Sequence, residues 1–439
     1  MRKKIIWLLI SAVAALAVVG CRSGNSSGGN DSVKASASIS ETPLASAPAL
    51  TMEQKLQDFE YMWTIMEENY PFFEVNKRLN GVDWLANKEK YRSEIAATRT
   101  DEEFFKGINS VLSELNNLHT EFINEQGYNM LTEIYTQVGA IMEPWLQVLQ
   151  QPEVLARYNK KSLLKQQSTT EASPVEGADG TENVEAGANE QTSGNVKKTI
   201  IKPYQIAYLG LSSFAGQFME QDAPEIREFL TEVKDYKTLL IDIRGNGGGS
   251  TNYWRLYIVP LLINKPVNYS TYYLYRGGEY AEAFLQPRHL VGLDPIVEIS
   301  KKNLPNIPPE ATTMFKDFMT VSDDVQPIKS VGFKGKIYLL VDHAVFSASE
   351  GFAAFAKGSG FATVVGAQTG GDGLGADPLL AALPNSGYVF RFSLEMGLTS
   401  DGSCNEEVKT IPDVEVEPDT TKPLLEQPAI QKVLELAGS

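Results

Sequence analysis

The 439-residue chain is poor in the residues that make staples, metal sites and nucleic-acid grooves: it has two cysteines, Cys21 and Cys404, and three histidines, His119, His289 and His343. Once Cys21 is assigned to the N-terminal segment, Cys404 is left alone and an internal disulfide is excluded. Positive charge is also scarce, with 39 Lys and Arg against 55 Asp and Glu and a net charge of −16. Such a surface has no counterion release to offer a phosphate backbone, so no nucleic-acid partner is expected. Nor is there a long apolar run. The longest, Ile5 to Val19, falls short of the about 20 residues a spanning helix needs. What remains is 43% hydrophobic and 10% aromatic, enough for a sizeable core.

The short apolar run follows Arg2, Lys3 and Lys4 and closes at Val18-Val19-Gly20-Cys21, the pattern of a signal peptide over residues 1–21. Its end resembles a bacterial lipobox. The resemblance implies acylation of Cys21 and attachment to the outer face of a membrane. Residues 22–50 are Ser, Ala, Gly and Asn with few large apolar side chains, and read as a disordered tether.

Thr51 and Gln54 form a capping box, and Leu56, Phe59, Met62, Trp63, Met66 and Tyr70 recur at helical spacing until Pro71. Further helices are predicted over Trp84 to Thr98, from Thr100 through Leu115, and over Met130 to Leu164, so residues 51–164 read as a helical N-terminal domain. Residues 165–199 are acidic and aperiodic, a disordered linker. Beyond it, in residues 200–439, strands are predicted at Gln205 to Phe214, Thr238 to Ile243, Val267 to Arg276, Lys336 to Val341 and Phe361 to Ala367, with helices near Ala223 to Val233 and Ser347 to Lys357. The proline-rich stretch from Gly277 to Phe333 reads as an excursion over the sheet that could serve as a lid.

Two spots carry chemistry. The strand ending at Val341 gives way to a helix at Ser347, where a hydroxyl would project beside the unpaired N–H groups of a first helical turn. Serine reacts only if a base takes its proton and donors await the oxyanion. His119 follows a helix on a loop with no periodic reason to be apolar, and is the best free base, although on spacing alone a plain surface histidine is an equal reading. The second spot is Arg244-Gly245-Asn246-Gly247-Gly248-Gly249-Ser250, directly after a strand. A Walker loop needs lysine before the final hydroxyl residue, and a dinucleotide fingerprint needs glycine where Ser250 stands. A loop offering backbone N–H groups to an anion or oxyanion is left.

These residues resemble the tail-specific (C-terminal processing) and tricorn-core serine peptidases. LLIDIRGNGGGS is similar to that family's strand with Arg-x-Asn-x-Gly-Gly, and FSASEGFAAF to its Ser-x-Ser-Glu nucleophile turn. The resemblance implies an α/β fold: a crotonase-like ββα core with a mixed sheet and flanking helices, preceded by a small all-α domain, with no metal or cofactor. It implies Ser347 as nucleophile and an oxyanion hole from Ala348 and Gly248 or Gly247. Ser-Lys members carry a lysine where this chain has Asp372, whereas tricorn-like members take a histidine from the helical domain and a glutamate near the C-terminus. Asn117-Leu118-His119-Thr120 and Glu406 to Asp413 correspond to those two segments, which implies His119 as base, Glu406 as its orienting carboxylate and Thr120 as an accompanying hydroxyl. The expected substrate is a peptide or unfolded protein tail outside the cytoplasm. An inactive lipoprotein binding peptides or apolar ligands in the same cleft, and an esterase, stay open.

Overall fold

The computed structural model describes residues 49–160, 194–288 and 292–438. The signal peptide with Cys21, residues 22–48 of the tether, the linker through residue 193 and His289 lie outside the described residues.

Thr51 starts α1 (Met52–Asn69) with the predicted reciprocal cap: its hydroxyl accepts from the Gln54 N–H, and Gln54 Oε1 accepts from the Thr51 N–H at 2.9 Å. α2 (Phe73–Asn80), α3 (Lys88–Ala96) and α4 (Asp101–Ser113) follow, packed around Trp63 and Trp84, whose rings stack at 4.1 Å. The turn after α4 carries His119 and runs into the two-residue β1 (Glu121–Phe122). The single helix expected from Met130 is three: α5 (Glu125–Val138), α6 (Glu143–Leu149) and α7 (Pro152–Arg157). Gly139 at φ 84 ends the first, and Pro144 and Pro152 sit in the opening turns of the others, where a missing N–H costs nothing.

After the linker, β2 (Val196–Lys202), β3 (Ile206–Leu211), α8 (Met219–Glu232) and β4 (Thr238–Asp242) open the main sheet. The linker therefore gives way to strand at Val196, before the expected boundary. α9 (Thr251–Tyr257), α10 (Val259–Leu262) and β5 (Val267–Tyr275) come next. The excursion contains α11 (Glu282–Leu285), β6 (Asp294–Pro295) and α12 (Ala311–Met314). It also contains β7 (Asp317–Val325), paired antiparallel with β5 from Val267↔Val325 to Tyr275↔Asp317. Its last part is thus sheet rather than lid. Asp323 and Asp324 interrupt the apolar alternation that would announce a strand, and the pairing with β5 is invisible in local sequence.

β8 (Lys336–Val341), α13 (Ala348–Ser359) and β9 (Thr363–Gly366) are followed by β10 (Leu379–Ala382), β11 (Val389–Phe392), β12 (Met396–Leu398), α14 (Asn405–Val408), β13 (Val414–Glu415) and α15 (Pro428–Leu436). The six-stranded sheet runs β13-β9-β8-β4-β3-β2, parallel except at β2, beside sheets β12-β5-β7-β6 and β1-β11-β10. This is the mixed α/β architecture with a helical N-terminal region that the sequence implies.

The apolar residues of the N-terminal helices form one cluster with β5, β10, β11 and β12, whereas the six-stranded sheet has clusters of its own on its two faces. The helical region therefore shares its core with the two smaller sheets. Immediately after His119, β1 is stitched to β11 through Glu121↔Arg391 and Phe122↔Phe390. A histidine from the far end of the sequence is fixed to the sheet by backbone hydrogen bonds.

Candidate active site

Ser347 is the N-cap of α13, at φ 58 and ψ −127. A non-glycine residue in that region costs about 1–3 kcal/mol and persists only where its surroundings impose it. Here the surroundings are hydrogen bonds: the Ser347 N–H donates to Gly371 O at 3.4 Å, and the Gly351 N–H donates to Ser347 O at 2.9 Å. The side chain makes no capping bond to its own helix, so Oγ is left to face the cleft. That cleft is narrow, with a cavity of about 20 Å³, and is lined by His119, Thr251, Ala348, Gly375 and Glu395 among others.

The glycine loop lies against this corner. Asn246 Nδ2 donates to Leu211 O at 3.0 Å, while its Oδ1 accepts from the Gly248 N–H at 3.0 Å and from Ser349 Oγ at 2.6 Å. One amide thus ties the end of β3, the loop and the nucleophile helix together. Gly248 has φ 105, and a Cβ there would stand 2.9 Å from Ser347 Cβ; Gly249 has φ 137, and its Cβ would meet Phe214 C at 2.2 Å. Only glycine passes between these walls. The expected role of Gly248 as oxyanion donor is corrected by this geometry, because an asparagine side chain captures the N–H two residues on. The N–H groups of Ala348, Gly247 and Gly249 meet no acceptor among the described residues.

His119 stands at the other wall. Asn117 Oδ1 accepts from the His119 main-chain N–H at 3.1 Å and from Thr120 Oγ1 at 2.7 Å. The imidazole, against the Phe346 ring at 4.5 Å, has Nε2 3.2 Å from Ser347 Oγ and Nδ1 2.8 Å from Asp372 Oδ2. The expected pairing of Glu406 with this ring is therefore replaced: the carboxylate on Nδ1 is Asp372, and Glu406 Oε1 accepts instead from Asn117 Nδ2 at 3.1 Å. The reason is local to the nucleophile. Gly371 bridges Phe346 in parallel and the Gly370 N–H donates to Val345 O at 2.7 Å, so the chain runs beside residues 345–347 and delivers Asp372, at φ 47, to the histidine. Thr120, expected as the accompanying hydroxyl, is spent on Asn117; the hydroxyl on the carboxylate is Ser393, whose Oγ donates to Asp372 Oδ2 at 2.9 Å. Nothing in FRFSLEM singles Ser393 out before the sheet is folded.

Burial alone would raise the Asp372 carboxyl, but the adjacent imidazole and the hydrogen bonds from His119, Asn117 and Ser393 outweigh it and hold the group below the usual aspartate range. Glu406 goes the other way: burial, then the charge of Asp372, push it well above the glutamate range, against weaker pulls from Asn117 and Lys409. Glu350, fully buried in the first turn of α13, accepts from Asn405 Nδ2 at 2.6 Å and Thr410 Oγ1 at 2.7 Å. It braces the segment that carries Glu406. His343 is exposed, with Nδ1 on Gln368 O at 2.8 Å. Cys404 is buried and its thiol is pushed up by burial. Among the described residues no cluster of His, Cys, Asp and Glu is arranged to hold a metal ion, and no helix is long and apolar enough to cross a membrane.

Comparison with known proteins agrees with the fold. Residues 205–416 match the sequence model of peptidase family S41, and residues 52–113 that of the tricorn protease C1 domain. A candidate peptidase from Parabacteroides merdae superposes with a TM-score of 0.54 at 20% identity, over 88% of this chain and 97% of its own. Mature CPAF complexed with lactacystin superposes with a TM-score of 0.52 at 13% identity, over 83% of this chain and 94% of its own. A search of curated proteins finds no match.

Proposed function

We propose that this chain, a member of peptidase family S41, hydrolyses peptide bonds as a serine endopeptidase through Ser347, His119 and Asp372. The observation that carries the reading is the line of contacts Ser347 Oγ to His119 Nε2 at 3.2 Å and His119 Nδ1 to Asp372 Oδ2 at 2.8 Å. With Asp372 accepting from Nδ1–H, Nε2 is the basic nitrogen. It takes the Ser347 proton as Oγ attacks the scissile carbonyl carbon, and Asp372 steadies the imidazolium that forms. The carbonyl oxygen gains its charge beside the Ala348 N–H, with a glycine-loop amide as second donor. His119 returns the proton to the leaving amine, the peptide departs, and water repeats the sequence on the acyl ester.

Substrates are peptides or unfolded protein tails, since the buried Ser347 and His119 at the bottom of a narrow cleft can be reached by an extended chain and not by a folded surface. A neighbouring slot, lined by Trp254, Tyr269 and Leu374 but also by Thr251, Arg255 and Thr271, offers mixed aromatic and polar walls to a side chain next to the cut. The signal-peptide pattern supports an extracytoplasmic enzyme tethered by acylated Cys21, with a helical domain over 51–164, a linker, and a catalytic core over 200–439. The test is Ser347→Ala with an unstructured peptide and a fluorophosphonate probe. Wild type should cleave the peptide and label at Ser347, and the variant should do neither while unfolding at the same temperature. Peptide hydrolysis surviving in Ser347→Ala refutes the proposal; a wild type that neither cleaves nor labels favours an inactive binding protein.

A further inference from the structure

Asp372 satisfies His119 and leaves Glu406, the carboxylate that the family resemblance points to, without contact to the imidazole. What joins the two acids is a single amide nitrogen. Asn117 Nδ2 stands 2.9 Å from Asp372 Oδ2 and 3.1 Å from Glu406 Oε1. Two ionised carboxylates sharing one NH₂ group in an enclosed site repel each other strongly, and the stable arrangement carries one negative charge. Its seat follows from the donors. Asp372 Oδ2 receives three, from His119 Nδ1, Asn117 Nδ2 and Ser393 Oγ, whereas the hydrogen bond to the Glu406 carboxyl is from Asn117 alone.

The groups facing Glu406 argue the same way. Glu350 from α13 and Asp372 add negative charge, and Lys409 acts against them. Tyr70, the residue that follows α1, and Cys404 are buried beside the pair and are themselves pushed up, chiefly by burial. Glu407, the next residue, turns to Arg78. Glu406 is half-buried and stands beside the buried Asp372.

We propose that Glu406 works as an uncharged carboxylic acid, a positioning residue that holds the Asn117 amide and, through it, both Asp372 and the His119 main chain. Asn117 is suited to this because its two ends do different things: Nδ2 bridges the acids while Oδ1 accepts from the His119 N–H and the Thr120 hydroxyl. An aspartate at 117 would put a third carboxylate where a donor is required. The inference rests on the Ser347–His119–Asp372 reading and assigns Glu406 the opposite charge state from an orienting triad carboxylate.

The test compares Glu406→Gln with Glu406→Ala in the full chain. Glutamine keeps the length and the acceptor oxygen without the charge, so kcat/KM should stay within about threefold of wild type and the acid limb of its pH profile should not move. Alanine should lose roughly 10- to 100-fold, the cost of a catalytic group loosened rather than removed. A Glu406→Gln variant reduced about 10³-fold or more, as expected for a charged histidine partner, overturns the inference, as does a shifted acid limb. Should the alanine variant not fold, the glutamine variant and its pH profile still decide. Fluorophosphonate labelling separates the two levels: an unlabelled wild type brings down the peptidase reading and this one with it, while a labelled wild type with an inactive Glu406→Gln overturns this inference alone.

Discussion

Replacing Asp372 by Asn removes one charge while leaving the shape of the site. The three donors to Asp372, from His119, Asn117 and Ser393, converge on Oδ2, so an asparagine with its carbonyl oxygen in that place preserves each hydrogen bond. The loss is then the attraction between the carboxylate and the imidazolium formed in the transition state. At about 4 Å between charge centres and an effective dielectric of about 20, that attraction is about 4 kcal/mol, and at about 1.4 kcal/mol per decade it corresponds to roughly a 10³-fold fall in rate. If the amide turns its nitrogen toward Nδ1, the imidazole takes the wrong tautomer and the loss approaches about 10⁴-fold. The interaction arises only as charge develops, so kcat should fall with KM nearly unchanged. The assay is steady-state hydrolysis of an unstructured fluorogenic peptide at neutral pH, with thermal unfolding as the control. A well-folded Asp372→Asn enzyme with kcat within tenfold of wild type refutes the reasoning.

Arg78 on α2 grips Glu407 at 2.7 Å through Nε and Nη2, and Glu310 at 3.0 and 2.7 Å through Nη1 and Nη2. Removing one partner of a buried pair costs about 3–5 kcal/mol; here the Arg78 side chain is 32% exposed and Glu310 5%, so Arg78→Ala should lose about 2 kcal/mol, read from the denaturant midpoint, and lower kcat through α14. An unchanged midpoint counts against this docking role. A pH dependence of stability follows from Glu406. Its folded-state pKa is raised by burial and by Asp372, so its favourable contribution is complete below the unfolded value of about 4.3 and is lost as pH rises through the folded value. Glu406→Gln escapes that loss and should gain stability relative to wild type as pH rises above about 4.3. Asp372, held low, contributes in the opposite sense, above its unfolded value of about 3.9, and is common to both proteins. A relative stability of the glutamine variant that declines with pH contradicts the assignment.

The N-terminal capping box, the turn at Ser347 and the close-packed glycine loop are legible in the sequence because neighbouring residues set them. Thr51 meets Gln54 three residues on, Ser347 stands at the N-cap position of the helix that follows it, and Asn246 captures the N–H of Gly248. β7 is not legible in this way, since its stability comes from β5 across the Glu279–Met314 segment and not from its own interrupted alternation. Nor are the breaks after α5 foreseen, although Gly139, Pro144 and Pro152 contain the signal.

The sequence by itself determined the chemistry on offer: one serine at a strand-to-helix corner, one histidine without an apolar alibi, a glycine loop beside them, and acids at 372 and 406. Which acid serves the histidine was decided only in three dimensions. His119 lies 253 residues before Asp372, and spacing over such a distance says nothing about which carboxylate returns to the ring. The bridge of Gly371 to Phe346 brings Asp372 there because backbone pairing beside the nucleophile fixes the path of the next residue, and the amide of Asn117 then leaves Glu406 behind it.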